Sequence, residues 1–211
     1  RHPLERAKII CRLHSYEYFT AFPGNVYWPG VDRLVTVSET MRDMLLKSQY
    51  RFPLPPLDIL PNGIDIEKFP FNAHKDYESK NIAILGWINN KKNPQAWLYL
   101  LDAIRYWGHT LHVAGEWQDS RVKMYMLDMA DKMRLTDRVI YHGRIPHEQI
   151  PEWLKDKSYI LSTSLFESFG QSLMEGIACG CLPLVHDFFG ANERFGDHCT
   201  FTGAESFREV L

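Results

Sequence analysis

The sequence predicts an α/β protein: a parallel sheet with helices on both faces, joined to the end of a second, N-terminal domain. Three observations predict it. From residue 58 onward, short apolar runs of strand length alternate with stretches of helix length, and this alternation implies right-handed crossovers between parallel strands covered on both sides. Glycine-containing turns follow several of those strands, at Gly86, Gly115, Gly143 and Gly170. A proline-rich stretch, YRFPLPPL at 50–57, separates the series from an earlier strand–helix pair and reads as extended chain.

Taken in order, KIICRL at 8–13 reads as a buried strand ending at His14, and RLVTV at 33–37 as a second. Ser38 is placed to cap a helix through about Lys47, with Glu39 in its first turn. Beyond the proline-rich stretch come strands at 58–60, 81–85, 111–114, 139–142, 159–162, 184–186 and 200–202. The helices between them are expected from Asn93 and Pro94 to a stop at Gly108, then at 120–134, 147–155, 171–179 and 191–195. The implied domains are 1–50 for the end of the N-terminal domain, 51–57 for a linker and 58–211 for the C-terminal domain.

Composition narrows the function. At 211 residues and 45% hydrophobic the chain can bury a real core, and a formal net charge of −2 gives no field that favours nucleic acid. No apolar run approaches the roughly 18 residues that cross a bilayer. The four cysteines, Cys11, Cys179, Cys181 and Cys199, lack the spacing of a zinc or redox motif and read as buried reduced thiols, which favours the cytoplasm. No acidic or histidine cluster with metal-ligand spacing is present, and no G-x-G-x-x-G follows a strand, which disfavours a nicotinamide enzyme.

The chemistry concentrates in FESFGQSLMEGIACGCLPLV. Glu167 lies in a loop, Glu175 two turns inside the following helix, Ser168 is placed to cap the helix start, Gly170 lets backbone approach a ligand, and Gly180 supplies the left-handed stop. Free N–H groups and a partial positive charge at the helix start suit a phosphate, and carboxylates hold hydroxyls, so the pair suggests a sugar nucleotide.

Five segments in order, ILPNGID (59–65), LGWINNKKN (85–93), HVAGE (112–116), VIYHGRI (139–145) and STSLFESFGQSLMEGIACGCLPLV (162–185), resemble the donor-binding domain of retaining GT-B glycosyltransferases of family four, the glycosyl transferases group 1. RLHSYE at 12–17 and the VSE helix start at 37–39 look like the end of the partner domain. The resemblance implies a Rossmann-like C-terminal half of a GT-B fold. It also implies a longer protein, with most of the N-terminal domain and the returning C-terminal segment outside this sequence.

By the same resemblance Glu167 meets the donor sugar, Glu175 the ribose, and Ser168, Phe169 and Gly170 precede the helix that faces the diphosphate. Lys92 neutralises that diphosphate, beyond Gly86. The turn Gly143, Arg144, Ile145 meets the base, His14 approaches the transferred sugar from the partner domain, and Glu193 of FGANE lies near sugar and phosphates. The implied activity is retaining, metal-independent hexosyl transfer from a uridine or guanosine diphosphate sugar, without a resident cofactor. The acceptor stays open among polysaccharide, lipid-linked oligosaccharide, protein and small molecule, as does peripheral membrane association through the N-terminal domain. One position departs from the family pattern: Trp87 stands where relatives carry an arginine that acts with the lysine, and Lys91 and Arg144 are the candidates to compensate for it. That departure favours one alternative, a non-catalytic sugar-nucleotide-binding module, and the shared architecture offers a second, a GT-B sugar-nucleotide epimerase.

Overall fold

The computed structural model describes residues 7–211, so residues 1–6 of the expected 1–50 segment lie outside the described residues. The chain divides into two compact units. The first runs to Gly63 and takes in Glu167–Phe169; the second holds the rest.

In the first unit β1 (Ile10–Leu13), β2 (Arg33–Thr36) and β3 (Leu57–Ile59) form a parallel sheet in that order. Two short helices, α1 (Ser15–Tyr18) and α2 (Phe22–Asn25), and then α3 (Glu39–Lys47) connect them. Leu13, Trp28, Leu34 and Leu45 make its core. Ser38 caps α3 as expected, its hydroxyl accepting from the Met41 N–H at 3.3 Å. The first strand is two residues shorter than its apolar run, because Asp32 captures the Ile9 N–H and the Lys8 ammonium, each at 2.8 Å.

The expected domain boundary shifts. Leu57–Ile59 opens no new domain; it pairs with β2, Leu34 opposite Leu57 and Thr36 opposite Ile59, and the division falls between Gly63 and Ile64. The prolines before it do not prevent this, since Pro56 still offers a carbonyl, which accepts from the Leu34 N–H at 3.0 Å.

The second unit holds one six-stranded parallel sheet in the order β6-β5-β4-β7-β8-β9. Its strands are β4 (Asn81–Leu85), β5 (Thr110–Ala114), β6 (Val139–Gly143), β7 (Tyr159–Ser162), β8 (Leu182–His186) and β9 (Thr200–Phe201). Its helices are α4 (Pro94–Ala103), α5 (Ser120–Lys132), α6 (Ile150–Trp153), α7 (Gln171–Ala178), α8 (Ala191–Phe195) and α9 (Ala204–Val210). The pleat sorts the central strands between two cores. Ile82 and Ile84 of β4, Leu161 of β7 and Leu184 of β8 pack with Trp97, Leu101, Met126 and Phe207 on one face. Their neighbours Ala83, Ile160 and Val185 pack with Phe69, Leu154 and Leu173 on the other. Period-two side chains that are apolar on both sides are what a doubly covered parallel sheet demands. Gly176 lets α7 lie tight on β7, since a methyl there would sit 2.8 Å from Ile160.

Two helix ends differ from expectation. α4 stops at Ala103, five residues short of Gly108, which still adopts the left-handed conformation at φ +84°. α5 stops at Lys132, after which Arg134 turns left-handed at φ +56°. The segment 147–155 is a single 3-10 turn, His147–Gln149, running into the short α6. Three of the four free thiols are buried as expected, whereas Cys11 is only half-buried. Burial pushes Cys179 up to about 11, so it is an inert thiol. Among the described residues no helix is long and apolar enough to cross a membrane.

Candidate functional site

Strand order reverses between β4 and β7: β5 and β6 extend to one side of that pair, β8 and β9 to the other. In open parallel sheets the crevice beyond the carboxyl ends of the strands at such a reversal is where ligands bind. Leu85, Lys92, Ser162, Thr163, Ser172 and Leu173 line a crevice there. It joins the loop after β4 to the first turn of α7, where the positive end of the helix dipole favours an anion.

Lys92 is held in this crevice by its own loop. Gly86 leaves β4 at φ +124°, a conformation only glycine adopts readily, and Lys92 passes close by, its Cε 3.9 Å from where a Cβ would lie. Gly115 matches it on the neighbouring strand, where a Cβ would fall 1.9 Å from the Gly86 carbonyl oxygen. Downstream, Ile88 donates to the Glu116 carbonyl and accepts from the Gln118 N–H, both at 2.9 Å, and Asn89 Oδ1 accepts from the Lys92 N–H at 3.2 Å. Trp87 stands between these anchors, 52% exposed, so it is not a core packing residue.

A relay fixes the far side. The buried Trp97 indole donates to Thr163 Oγ1 at 2.7 Å, and that hydroxyl donates to the Lys92 carbonyl at 2.7 Å. The Leu165 N–H adds a bond to the Lys91 carbonyl at 2.8 Å. Trp97 lies in α4 and Thr163 follows β7. Both position the lysine loop, and the 66-residue separation between them hides that link from local patterns.

At α7 one expectation changes. Gly170, left-handed at φ +81°, is the N-cap residue, and Ser168 is not. A left-handed glycine turns the chain into the helix without a side-chain cap, so the helix starts from the glycine and not from the serine two residues earlier. Gly180 is left-handed at φ +86°, as expected for the stop. Glu175 is buried, at 6% exposure, and Oε1 accepts from His147 Nε2 at 3.0 Å and from Gln171 Nε2 at 3.5 Å. His147 rests on the buried Phe69 ring, centroids 5.2 Å apart, and escaped sequence reading because it lies 28 residues from Glu175.

The other candidates divide between the units. Gly143 closes β6 at φ +68°, its carbonyl accepting from the Gly115 N–H at 2.8 Å; Arg144 is exposed and Ile145 packs partly into the core. Glu193 is exposed in the first turn of α8, which follows Gly190. Gly86, Lys92, Gly143, Arg144, Ile145, Gly170, Glu175 and Glu193 thus all belong to the second unit. His14, Glu167, Ser168 and Phe169 group with the first. There His14 precedes α1, its N–H donating to Glu17 Oε2 at 2.9 Å, and Ser15 Oγ donates to Ser168 Oγ at 3.4 Å. Glu167 and Ser168 are buried, each at 8% exposure.

The sequence profile described as "Glycosyl transferases group 1" matches residues 65–204, two thirds of the chain. The chain belongs to the glycosyl transferases group 1 family. Curated relatives include the GPI3 subunit of phosphatidylinositol N-acetylglucosaminyltransferase from Saccharomyces cerevisiae (strain YJM789), 26% identical over 175 residues that make up 78% of this chain and 37% of the relative. The corresponding gpi3 subunit from Schizosaccharomyces pombe is 25% identical over 177 residues, 81% of this chain and 37% of its own. The chain therefore spans little more than a third of the curated relatives it matches. Among solved structures, S. aureus TarM in complex with Fondaparinux, alpha-GlcNAc-glycerol and UDP superposes with a TM-score of 0.77 at 16% identity, covering 98% of this chain and 44% of TarM. Anabaena HepE with UDP and glucose gives 0.75 at 19% identity, covering 97% and 60%. These likenesses show the fold, the α/β architecture of GT-B glycosyltransferases, of which this group 1 member holds part.

Proposed function

We propose that the protein containing this chain is a retaining glycosyltransferase that moves a hexosyl group from a uridine diphosphate sugar to an acceptor. The observation that carries the reading is the pairing of Lys92 with the start of α7 in one crevice at the strand-order reversal. Breaking the sugar–phosphate bond builds negative charge on the diphosphate and positive charge on the anomeric carbon. A fixed ammonium and a helix amino end stabilise the first charge without reorganising, and preorganised charge of this kind is the strongest catalytic effect such a site can exert. They supply charge where a divalent metal otherwise would, so the transfer runs without one. The leaving phosphate takes the acceptor's proton on the same face of the sugar, giving retention and requiring no separate base.

Each remaining candidate has its own task. Glu175 holds the ribose, the turn Gly143–Ile145 meets the base through its backbone, Gly170 opens the helix to the phosphates, and Glu193 lies toward sugar and phosphates. Glu167 holds the donor sugar, with Ser168 and Phe169 leading into the phosphate-facing helix, and His14 approaches the transferred sugar. The UDP held by TarM and HepE supports uridine over guanosine, and the names of the curated relatives make UDP-N-acetylglucosamine the first donor and phosphatidylinositol the first acceptor to try. The nucleotide sugar is cytoplasmic, and a lipid acceptor brings the protein to the membrane surface.

The test is transfer and donor hydrolysis by the full-length protein, with and without chelator, before and after Lys92→Ala and Glu167→Ala. Unchanged rates in both variants sink the assignment. Trp87 favours one second reading, a module that binds the sugar nucleotide without turning it over, since a neutral indole stands where the family carries a cation. Calorimetric binding of UDP-sugar with no product from any acceptor tried would promote it.

A further inference from the structure

His147 has no task in that mechanism, yet its ring nitrogen lies closer to Glu175 than the Gln171 amide does. Glu175 sits almost wholly out of water, and a buried carboxylate needs donors. His147 Nε2 supplies one at 3.0 Å and Gln171 Nε2 a weaker one at 3.5 Å, both to Oε1. A carboxylate oxygen has two lone-pair sites, so these two donors fill Oε1 and fix the plane of the group, and Oε2 takes neither of them. The histidine is itself constrained. Pro146 precedes it at φ −55°, the single 3-10 turn His147–Gln149 fixes its backbone, and its ring lies against Phe69. Only Pro146 separates it from the turn Gly143–Ile145. One short segment therefore carries both the backbone assigned to the base and the side chain that aims the ribose carboxylate.

We infer that His147 is a positioning residue for nucleoside recognition, holding Glu175 so that Oε2 accepts from the vicinal ribose hydroxyls of the donor. The inference rests on the nucleotide-sugar reading of this site and deepens it. With His147 removed, the carboxylate keeps only the 3.5 Å contact to Gln171 and swings about its last torsion, so the diol loses its aligned acceptor while base and phosphate contacts are untouched. A histidine that served only to stabilise the fold would affect every nucleotide alike.

The experiment uses the full-length protein and two probes, UDP and 2′,3′-dideoxy-UDP, titrated calorimetrically. Wild type should bind UDP at least tenfold more tightly than the dideoxy compound. His147→Ala should weaken UDP by about five- to fiftyfold and leave the dideoxy compound within twofold. His147→Gln, which places an amide N–H near the Nε2 position, should recover most of the discrimination, and adding His147→Ala to Glu175→Ala should cost nothing further. Equal loss for both probes, unchanged UDP affinity in His147→Ala, or no discrimination by wild type would each overturn the inference while leaving nucleotide binding intact. Failure of wild type to bind either probe would instead overturn the reading beneath it. His147 has an exposed side chain, at 66%, so its variants should fold.

Discussion

Lys75 and Lys92 belong to the same unit and to opposite edges of its sheet. At the amino edge Lys75 is buried, its ammonium donating to the Leu154 carbonyl at 2.7 Å and toward Cys181 Sγ at 3.6 Å. Around it polar groups answer one another. Ser158 donates to the Asp76 carbonyl at 3.0 Å and meets the Ser79 hydroxyl at 2.6 Å, while Asn81 donates to the Asp156 carbonyl at 3.0 Å. Asn81 Oδ1 also meets His112 Nε2 at 3.2 Å, and His112 stacks on His142, Nδ1 to Nε2, at 3.0 Å. At the carboxyl edge Lys92 is only half-buried and lines a narrow crevice with serines and a threonine. Burial of charge therefore does not mark a site in this protein. The buried lysine closes off strand ends and loop carbonyls; the more exposed one stands where strand order reverses.

Four measurements sharpen or break that contrast, from the largest expected effect to the smallest. Lys92→Ala should lower kcat/KM of the full-length protein on the order of 10²–10³-fold, about 3–4 kcal/mol of transition-state stabilisation, with a melting temperature close to wild type. A variant that melts early and turns over normally would place Lys92 with the structural lysine. Gly115→Ala should destabilise by about 3 kcal/mol or more, because the new methyl overlaps the Gly86 carbonyl and backbone cannot yield as a flexible side chain does; denaturant titration reads it. Nucleotide affinity should fall with it, since the displaced loop carries Lys92. Lys75→Ala should cost about 2 kcal/mol through the orphaned carbonyl and the cavity left behind, and should leave UDP affinity within twofold.

The smallest effect is on pH. Burial pushes His109 and His112 down from 6.5 to about 4, with nearby Lys80 and Arg138 adding to the first shift and Lys157 and His142 to the second. Between those values the unfolded chain binds more protons than the folded one. Stability is therefore complete above about pH 6.5 and is lost as pH falls through about 4. Melting scans should show a lower transition at pH 4.5 than at pH 7, and His112→Gln should shrink the difference.

Much of this was legible in the sequence, and the parts that were not share a cause. Strands of the second sheet could be read because both faces are apolar, as at Ile82, Ala83 and Ile84. The bounds of α7 could be read because Gly170 and Gly180 are needed at its ends. Lys92 and Glu175 came from motif position, and the structure places both in the second unit. Local reading failed where geometry outweighed residue preference. Ser168 is a good capping residue displaced by a left-handed glycine. The prolines before Leu57 suggested a linker, although a strand that follows prolines still pairs through its carbonyls. Long-range partners left no trace: His147 with Glu175 joins the segment after β6 to α7, and Trp97 with Thr163 joins α4 to the end of β7.

The near-contact of Gly86 and Gly115 reaches beyond stability. Two turns packed backbone on backbone fix where the loop that carries the ammonium begins. In the proposed transfer, a cation whose loop is anchored this way meets the diphosphate with little thermal search, and retuning it by exchanging either glycine would require both neighbouring turns to be rebuilt together.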